Sequence, residues 1–365
     1  MTGEIWQYIL YLIILVLLAI PLGGYIGKVM NGEKTFLTKV LTPCEKFIYK
    51  IIGADEEMTW KKYLASVLSV SGISLLIVFL LQLLQGFLPL NPQNLGGVKW
   101  DLAFNTAVSF ITNTNWQAYS GENTLSNLTQ ALGLTVQNFV SAAVGISVLF
   151  ALIRGFVKVK ESGLGNFWKD MTRTILYILL PLNLIIALFL VGGGVVQSLK
   201  PAEKVSLLEP VAITSGGEII ENAEINIEEN TVSVGGKIIA DAEIVTEQIV
   251  PLGTAASQVA IKQSGTNGGG FFGTNSAHPL ENPSPFTNMI EMISLLLIPA
   301  ALCFTFGRSV KNKKQGVAIF AAMFTCLAVS LAIIGINEQI GTPQLSQGGA
   351  VDVTAVQQAG GNMEG

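Results

Sequence analysis

Thr112-Asn113-Thr114-Asn115 and Gly265-Thr266-Asn267-Gly268-Gly269-Gly270 decide the fold, because each breaks a run of membrane-grade sequence with a short polar stretch. Each follows a segment about one short helix long and has a long apolar run on either side. This is the sequence shape of a re-entrant pore loop. Non-helical backbone persists at membrane depth only where protein buries it or where it lines a watery cavity. Two such stretches imply two places where backbone carbonyls meet an ion, and they predict an ion-binding or ion-conducting membrane protein.

Half of the 365 residues are hydrophobic and 13% are charged, about half the charged share of an average soluble domain. A water-soluble globule is excluded. Charge-free stretches run from Ile5 to Gly27, Tyr63 to Val98, Asn123 to Ile153, Thr174 to Leu199 and Gln315 to Asn337. Each exceeds the roughly 20 residues that a helix needs to cross the hydrocarbon core. A sixth candidate, Phe286 to Phe306, carries one acid, Glu291. The expectation is an all-α polytopic membrane protein with about six transmembrane helices and two re-entrant pore helices. Met1-Thr2-Gly3-Glu4 lacks a basic n-region, so the first run reads as a retained helix. Cys44, Cys303 and Cys326 are too scattered for a disulfide framework or a zinc site. Cys303 and Cys326 are expected to be buried as small hydrophobes.

Three segments, Lys28 to Lys62, Arg154 to Arg173 and Arg308 to Lys314, hold 16 of the 21 basic residues and only 7 of the 25 acids. The positive-inside rule places them in the cytoplasm and the N-terminus outside. Both polar interruptions then face outward, and Thr112-Asn113 superposes on Thr266-Asn267 at an offset of 154 residues. Residues 197–253 differ in kind. They are acidic, and alternating runs such as Ala223-Glu224-Ile225-Asn226-Ile227 and Thr231-Val232-Ser233-Val234, split by Gly235-Gly236, predict a small β-rich extracellular insertion.

Asp101 is placed to cap a short apolar helix through Ile111, and Thr254 to cap another through Ser264, after which Gly265 releases the chain. A half-helix of this kind points its partly negative C-terminus at the bilayer interior and favours a cation there. Gly268-Gly269-Gly270 can turn successive carbonyls toward one axis, as the carbonyl rings of potassium filters do. Threonine hydroxyls and asparagine amides add oxygen, and neither stretch carries an acid, so a monovalent cation fits better than magnesium or calcium. The glycine-rich stretch lacks the Gly-Lys-Ser/Thr ending of a phosphate-binding loop, and no convergent acid, base and nucleophile appear. Lys262 and Glu291 are intramembrane ionisable residues, read as candidate partners or, more simply, as snorkelling side chains. His278 reads as structural.

The chain resembles the potassium-binding A subunits of the Kdp potassium-transporting ATPases. The match is carried by Leu90 to Gln93, Trp100 to Phe110, Thr112-Asn113-Thr114-Asn115-Trp116-Gln117, Gly133 to Phe139, Gly265 to Phe272 and Glu281-Asn282-Pro283. It spans nearly the whole chain, with the acidic insertion as the main local departure. The resemblance implies a superfamily of potassium transporters in which four helix, pore-loop, helix repeats surround one filter. It implies a non-catalytic subunit that selects extracellular potassium and passes it to a catalytic P-type ATPase subunit, with small accessory subunits in the complex. Thr112, Asn113 and Thr114 become the first filter strand with Gln117 at its border, and Thr266, Asn267 and Gly268 the second, flanked by Gly265, Gly269 and Gly270. Asn115, next in the polar stretch, is expected to lie beside the ion. Neither a nucleotide site nor a nucleic-acid partner is expected.

The division expected is an N-terminal helix and cytoplasmic loop (1–62), a first repeat (63–158), a second repeat (172–307) containing the insertion (197–253), and the first helix of a third repeat with an outer tail (315–365). The family chain continues through two more repeats. The chain as given ends at Gly365, and a truncated product is the favoured expectation over a stand-alone channel made of two two-repeat copies.

Overall fold

The computed structural model describes residues 2–54, 56–157, 163–200 and 202–340. Among them are six helices long and apolar enough to cross a membrane: Ile5–Met30, Trp60–Phe87, Thr129–Val157, Phe167–Gly192, Pro285–Ser309 and Lys313–Asn337. The six-span, mostly helical architecture expected from the charge-free runs is what the chain adopts. The third-repeat tail, residues 341–365, lies outside the described residues.

The first and fifth spans pack along each other, the fifth against the sixth, and the third and fourth close the central cluster. Leu15, Ala19, Ile26, Ala143, Ile178, Leu179, Ile298 and Ala301 form its buried middle. Close approach depends on small residues, as expected where lipid is as apolar as leucine. A Cβ on Gly23 would meet the Ala301 carbonyl oxygen at 2.5 Å, and Thr305 Oγ1 donates to the Gly23 carbonyl at 2.8 Å.

Two spans contain π-helical stretches, Thr129–Thr135 and Thr174–Leu179. The second has a visible cause. Pro181 has no N–H to offer the Tyr177 carbonyl four residues back, and the Tyr25 hydroxyl of the first span donates to that carbonyl at 2.8 Å. A backbone acceptor freed inside the bundle is thereby satisfied by a neighbouring helix, as hydrocarbon surroundings demand.

Two short helices, Trp100–Ile111 and Ala255–Ser264, pack against the second and fourth spans respectively. At 12 and 10 residues they are about 18 and 15 Å long, too short to cross. Asp101 is not the cap that the sequence suggests: the helix begins one residue earlier, and its carboxylate accepts from the adjacent Leu102 N–H. Thr254 does hold the N-cap position, but its hydroxyl makes no capping bond. Cys303 is buried as expected, whereas Cys326 is exposed on the apolar outside of the sixth span.

Residues 198–253 form a compact unit of their own. Strand β1 (Glu203–Thr214) pairs antiparallel with β5 (Ala242–Val250), with a register shift between Ser206 and Val211. Strands β2 (Glu224–Asn226), β3 (Thr231–Val234) and β4 (Lys237–Ile238) form an antiparallel meander. Gly235 and Gly236 turn β3 into β4 with φ of 58° and 77°, the left-handed pair that a tight hairpin requires.

Candidate ion-binding site

Both short helices end in the same way. The chain turns left-handed at Asn113 (φ 60°) and at Thr266 (φ 55°). The next amide then reaches back across the end: Thr114 N–H donates to the Ser109 carbonyl at 3.0 Å, and Asn267 N–H to the Lys262 carbonyl at 2.8 Å. These are the six-to-one bonds of a Schellman ending. A second left-handed residue follows two positions on in each, Asn115 (φ 55°) and Gly268 (φ 82°). The conformational repeat therefore runs 113 to 266, an offset of 153, and Thr112-Asn113 does not superpose on Thr266-Asn267 as the sequence alone suggests.

The two strands meet through their asparagines. Asn267 Nδ2 donates to Asn113 Oδ1, to Asn115 Oδ1 at 3.3 Å and to Ser141 Oγ at 3.1 Å. Ser141 Oγ also donates to Asn113 Oδ1 at 2.8 Å, Asn113 Nδ2 donates to the Gly265 carbonyl at 3.3 Å, and Asn115 Nδ2 donates to Asn138 Oδ1 at 2.6 Å. The asparagine amides, expected to offer oxygen to an ion, are thus engaged with one another; the Oδ1 of Asn267 lacks a donor but is buried. The threonines behave differently. Thr112, Thr114 and Thr266 are exposed, with the first two hydroxyls 2.9 Å apart.

Among the described residues, no amide or side chain donates to the main-chain carbonyls of Thr112, Asn113, Thr114, Thr266, Asn267 or Gly268. Backbone carbonyls normally find partners, and the two strands instead present free acceptors at the partly negative ends of two helices, a polarity that suits positive charge. A cavity of about 190 Å³ lies against both strands, lined by Asn113, Gly265 and Thr266 together with Ser141, Gly145 and Pro299 of the spans.

The second strand is tied from behind. Gly269 N–H donates to Asn275 Oδ1 at 2.5 Å, Gly270 N–H to Gln117 Oε1 at 2.9 Å, and Gln130 Nε2 to the Phe271 carbonyl at 2.9 Å. Gln117 and Gln130 belong to the first repeat, so one repeat shapes the strand of the other. Lys262 donates to Glu281 Oε2 at 2.7 Å and to the Gly269 carbonyl at 3.0 Å, with both side chains fully buried. Its partner is therefore Glu281 and not Glu291, which accepts from Gln263 at 2.9 Å. Neither Lys262 nor Glu291 snorkels, since both are buried. His278 stacks on Phe272 with ring centres 3.9 Å apart and accepts the Leu280 N–H at 3.1 Å, a structural role.

The sequence profile of a family described as the potassium-transporting ATPase A subunit (KdpA) matches residues 9–365. The chain belongs to that family. It is 61% identical over its whole length to the potassium-transporting ATPase potassium-binding subunit of Clostridium botulinum (strain Eklund 17B / Type B). It is 60% identical to the like-named protein of Clostridium perfringens and 52% identical to that of Desulfovibrio desulfuricans, again over its whole length. In each case the chain spans 59% of the relative's length.

Within this KdpA-family chain, sequence reasoning reached the two strands, Gln117 and Lys262, but not the other side chains that hold the strands. Asn138 lies in the Gly133 to Phe139 stretch but carries no role there, and Ser141, Asn275 and Gln130 are marked in the sequence only as polar residues in or beside apolar runs. Polar side chains in membrane segments are functional suspects, and that was the available signal. Nothing in the sequence chose Glu281 over Glu291 for Lys262.

Proposed function

We propose that the chain is the potassium-binding, ion-selecting part of an ATP-driven potassium uptake system. The observation that carries this reading is the pair of strands at Thr112–Thr114 and Thr266–Gly268, whose carbonyls accept no protein donor among the described residues while their asparagines brace one another. Oxygen dipoles without carboxylates suit a dehydrated monovalent cation. The names of the relatives, as potassium-binding subunits of potassium-transporting ATPases, support potassium as the cargo.

The strands supplied here are two of a four-part filter built from helix, pore-loop, helix repeats spanning 63–158 and 172–307. Potassium enters from the extracellular side, where the N-terminus and pore loops lie, while the basic segments face the cytoplasm. The cavity beneath the strands receives the ion. ATP hydrolysis belongs to a catalytic P-type ATPase partner, accompanied by small accessory subunits, and this chain contributes no catalysis.

Affinity purification from native membranes tests the reading. Capture of a P-type ATPase whose hydrolysis depends on potassium, with that dependence weakened by Thr266→Val, is the expected result. A chain that never captures an ATPase and conducts potassium when reconstituted alone overturns it in favour of a stand-alone channel.

A further inference from the structure

Lys262 holds the second strand at two points. Its main-chain carbonyl takes the Asn267 N–H at 2.8 Å, and its ammonium takes the Gly269 carbonyl at 3.0 Å. Gly268 lies between these two anchors, its own carbonyl without a protein donor among the described residues. Glu281 completes the clamp, accepting from Lys262 through Oε2 and from the Phe272 N–H through Oε1 at 3.3 Å. Both side chains are 0% exposed.

Stability does not account for such a pair. Burying two charges costs several kcal/mol each, and apolar replacements of similar volume are often neutral or better. An intramembrane pair is retained for what it positions or for the charge it places. Here the ammonium donates at once to a carboxylate and to a carbonyl, and an apolar side chain of similar length leaves Gly269 without that donor. The carboxylate in turn cancels a positive charge that otherwise sits beside a cation pathway in a medium of low polarity.

We propose that Lys262 and Glu281 form a charge-balanced clamp that, with Asn275 on the Gly269 N–H of the same peptide plane, sets the direction of the Gly268 carbonyl, and with it the affinity and selectivity of the second strand for a monovalent cation. This rests on reading that strand as part of a filter. Lys262 and Glu281 are positioning residues; the cation meets the carbonyls, not the pair.

The test is potassium-dependent uptake by the complete native assembly in vesicles, with thermal midpoints measured alongside. Glu281→Gln leaves a buried, uncancelled ammonium, and the half-saturating potassium concentration is expected to rise at least about tenfold. Lys262→Met/Glu281→Gln removes both charges at similar volume. It is expected to raise half-saturation about tenfold, through loss of a charged donor to Gly269, with the maximal rate within about twofold and discrimination against sodium reduced. Glu281→Asp keeps both charges and shortens one arm; it is the variant expected to fold in every case and to raise half-saturation about threefold. Unchanged affinity and discrimination in Glu281→Asp or in the double variant, whatever their midpoints, reduces the pair to packing and overturns the clamp. A wild-type assembly with no saturable potassium dependence overturns the filter reading and the clamp together.

Discussion

Asn113 and Thr266 are equivalent residues of two repeats: each ends a short helix in the left-handed region, at φ of 60° and 55°. Asparagine visits that region readily, because its short amide bonds locally. Threonine does not, and a β-branched residue there is an outlier that the surrounding structure must hold in place. The two helix ends thus share a shape but not its cost.

Thr266→Gly is expected to relieve about 1–2 kcal/mol of strain and raise the thermal midpoint, since no hydrogen bond of its hydroxyl is lost among the described residues. Asn113→Gly is expected to lower the midpoint by about 1 kcal/mol, because it removes the acceptor shared by Ser141 and Asn267 and the donor to the Gly265 carbonyl, while Asn115 and Asn138 keep the remaining donors paired. Thermal unfolding of the two variants in detergent decides the matter. Equal shifts of the same sign would contradict the contrast between a hydrogen-bonded Asn113 side chain and a strained Thr266 whose hydroxyl braces nothing.

Gly270 is held at φ 124°, and a Cβ there would lie 2.7 Å from Glu281 Oε1 and closer still to Lys262 Nζ. Gly270→Ala is therefore expected to cost more than about 2 kcal/mol, read as a smaller folded fraction by size-exclusion profile. Gly72, in the second span, has open space where its Cβ would stand, so Gly72→Ala should gain about 0.5–1 kcal/mol.

The spans were legible because a 20-residue apolar run has few other fates, and the polar interruptions because irregular backbone at that depth must serve something. The one-residue slip between the sequence and conformational repeats was not legible. Thr-Asn aligns with Thr-Asn by identity, while the left-handed position depends on where each helix stops. Thr38–Ile52 escaped for another reason: its apolar residues Val40, Cys44, Phe47 and Ile51 recur at helical spacing between Lys39, Lys46 and Lys50, so average hydropathy conceals the helix. Strand β1 was hidden by Pro210 and the shift beside it.

Arg154 grips Asp170 with two bonds of 2.6 Å, and the Tyr63 hydroxyl lies 3.0 Å from the same carboxylate. Asp170 is 2% exposed and the Arg154 side chain 21%, so the staple joins the second, third and fourth spans with its carboxylate buried and its guanidinium half-buried. Asp170→Asn takes the nearest counter-charge from a half-buried guanidinium and is expected to cost about 2–3 kcal/mol, below the range for a fully buried pair. Arg154→Met/Asp170→Leu should cost far less, and a double-variant midpoint as low as that of Asp170→Asn would refute the argument.

Glu45, on the short helix between the first two spans, gives a pH dependence whose sign follows from its surroundings. Burial pushes its carboxyl up, but hydrogen bonds from Tyr49 (2.6 Å), Arg173 (2.9 Å) and Tyr177 (2.8 Å), with the Arg173 charge, outweigh burial and hold it below the usual range. A carboxyl lowered on folding contributes stability that is fully present above its unfolded value, about 4.3. That contribution fades as pH falls below this point through the lowered folded value. Glu45→Gln is expected to lower the midpoint at pH 7 and to flatten its decline below about pH 4.3. Parallel acid limbs for variant and parent would mean that Glu45 titrates alike in the folded and unfolded chains.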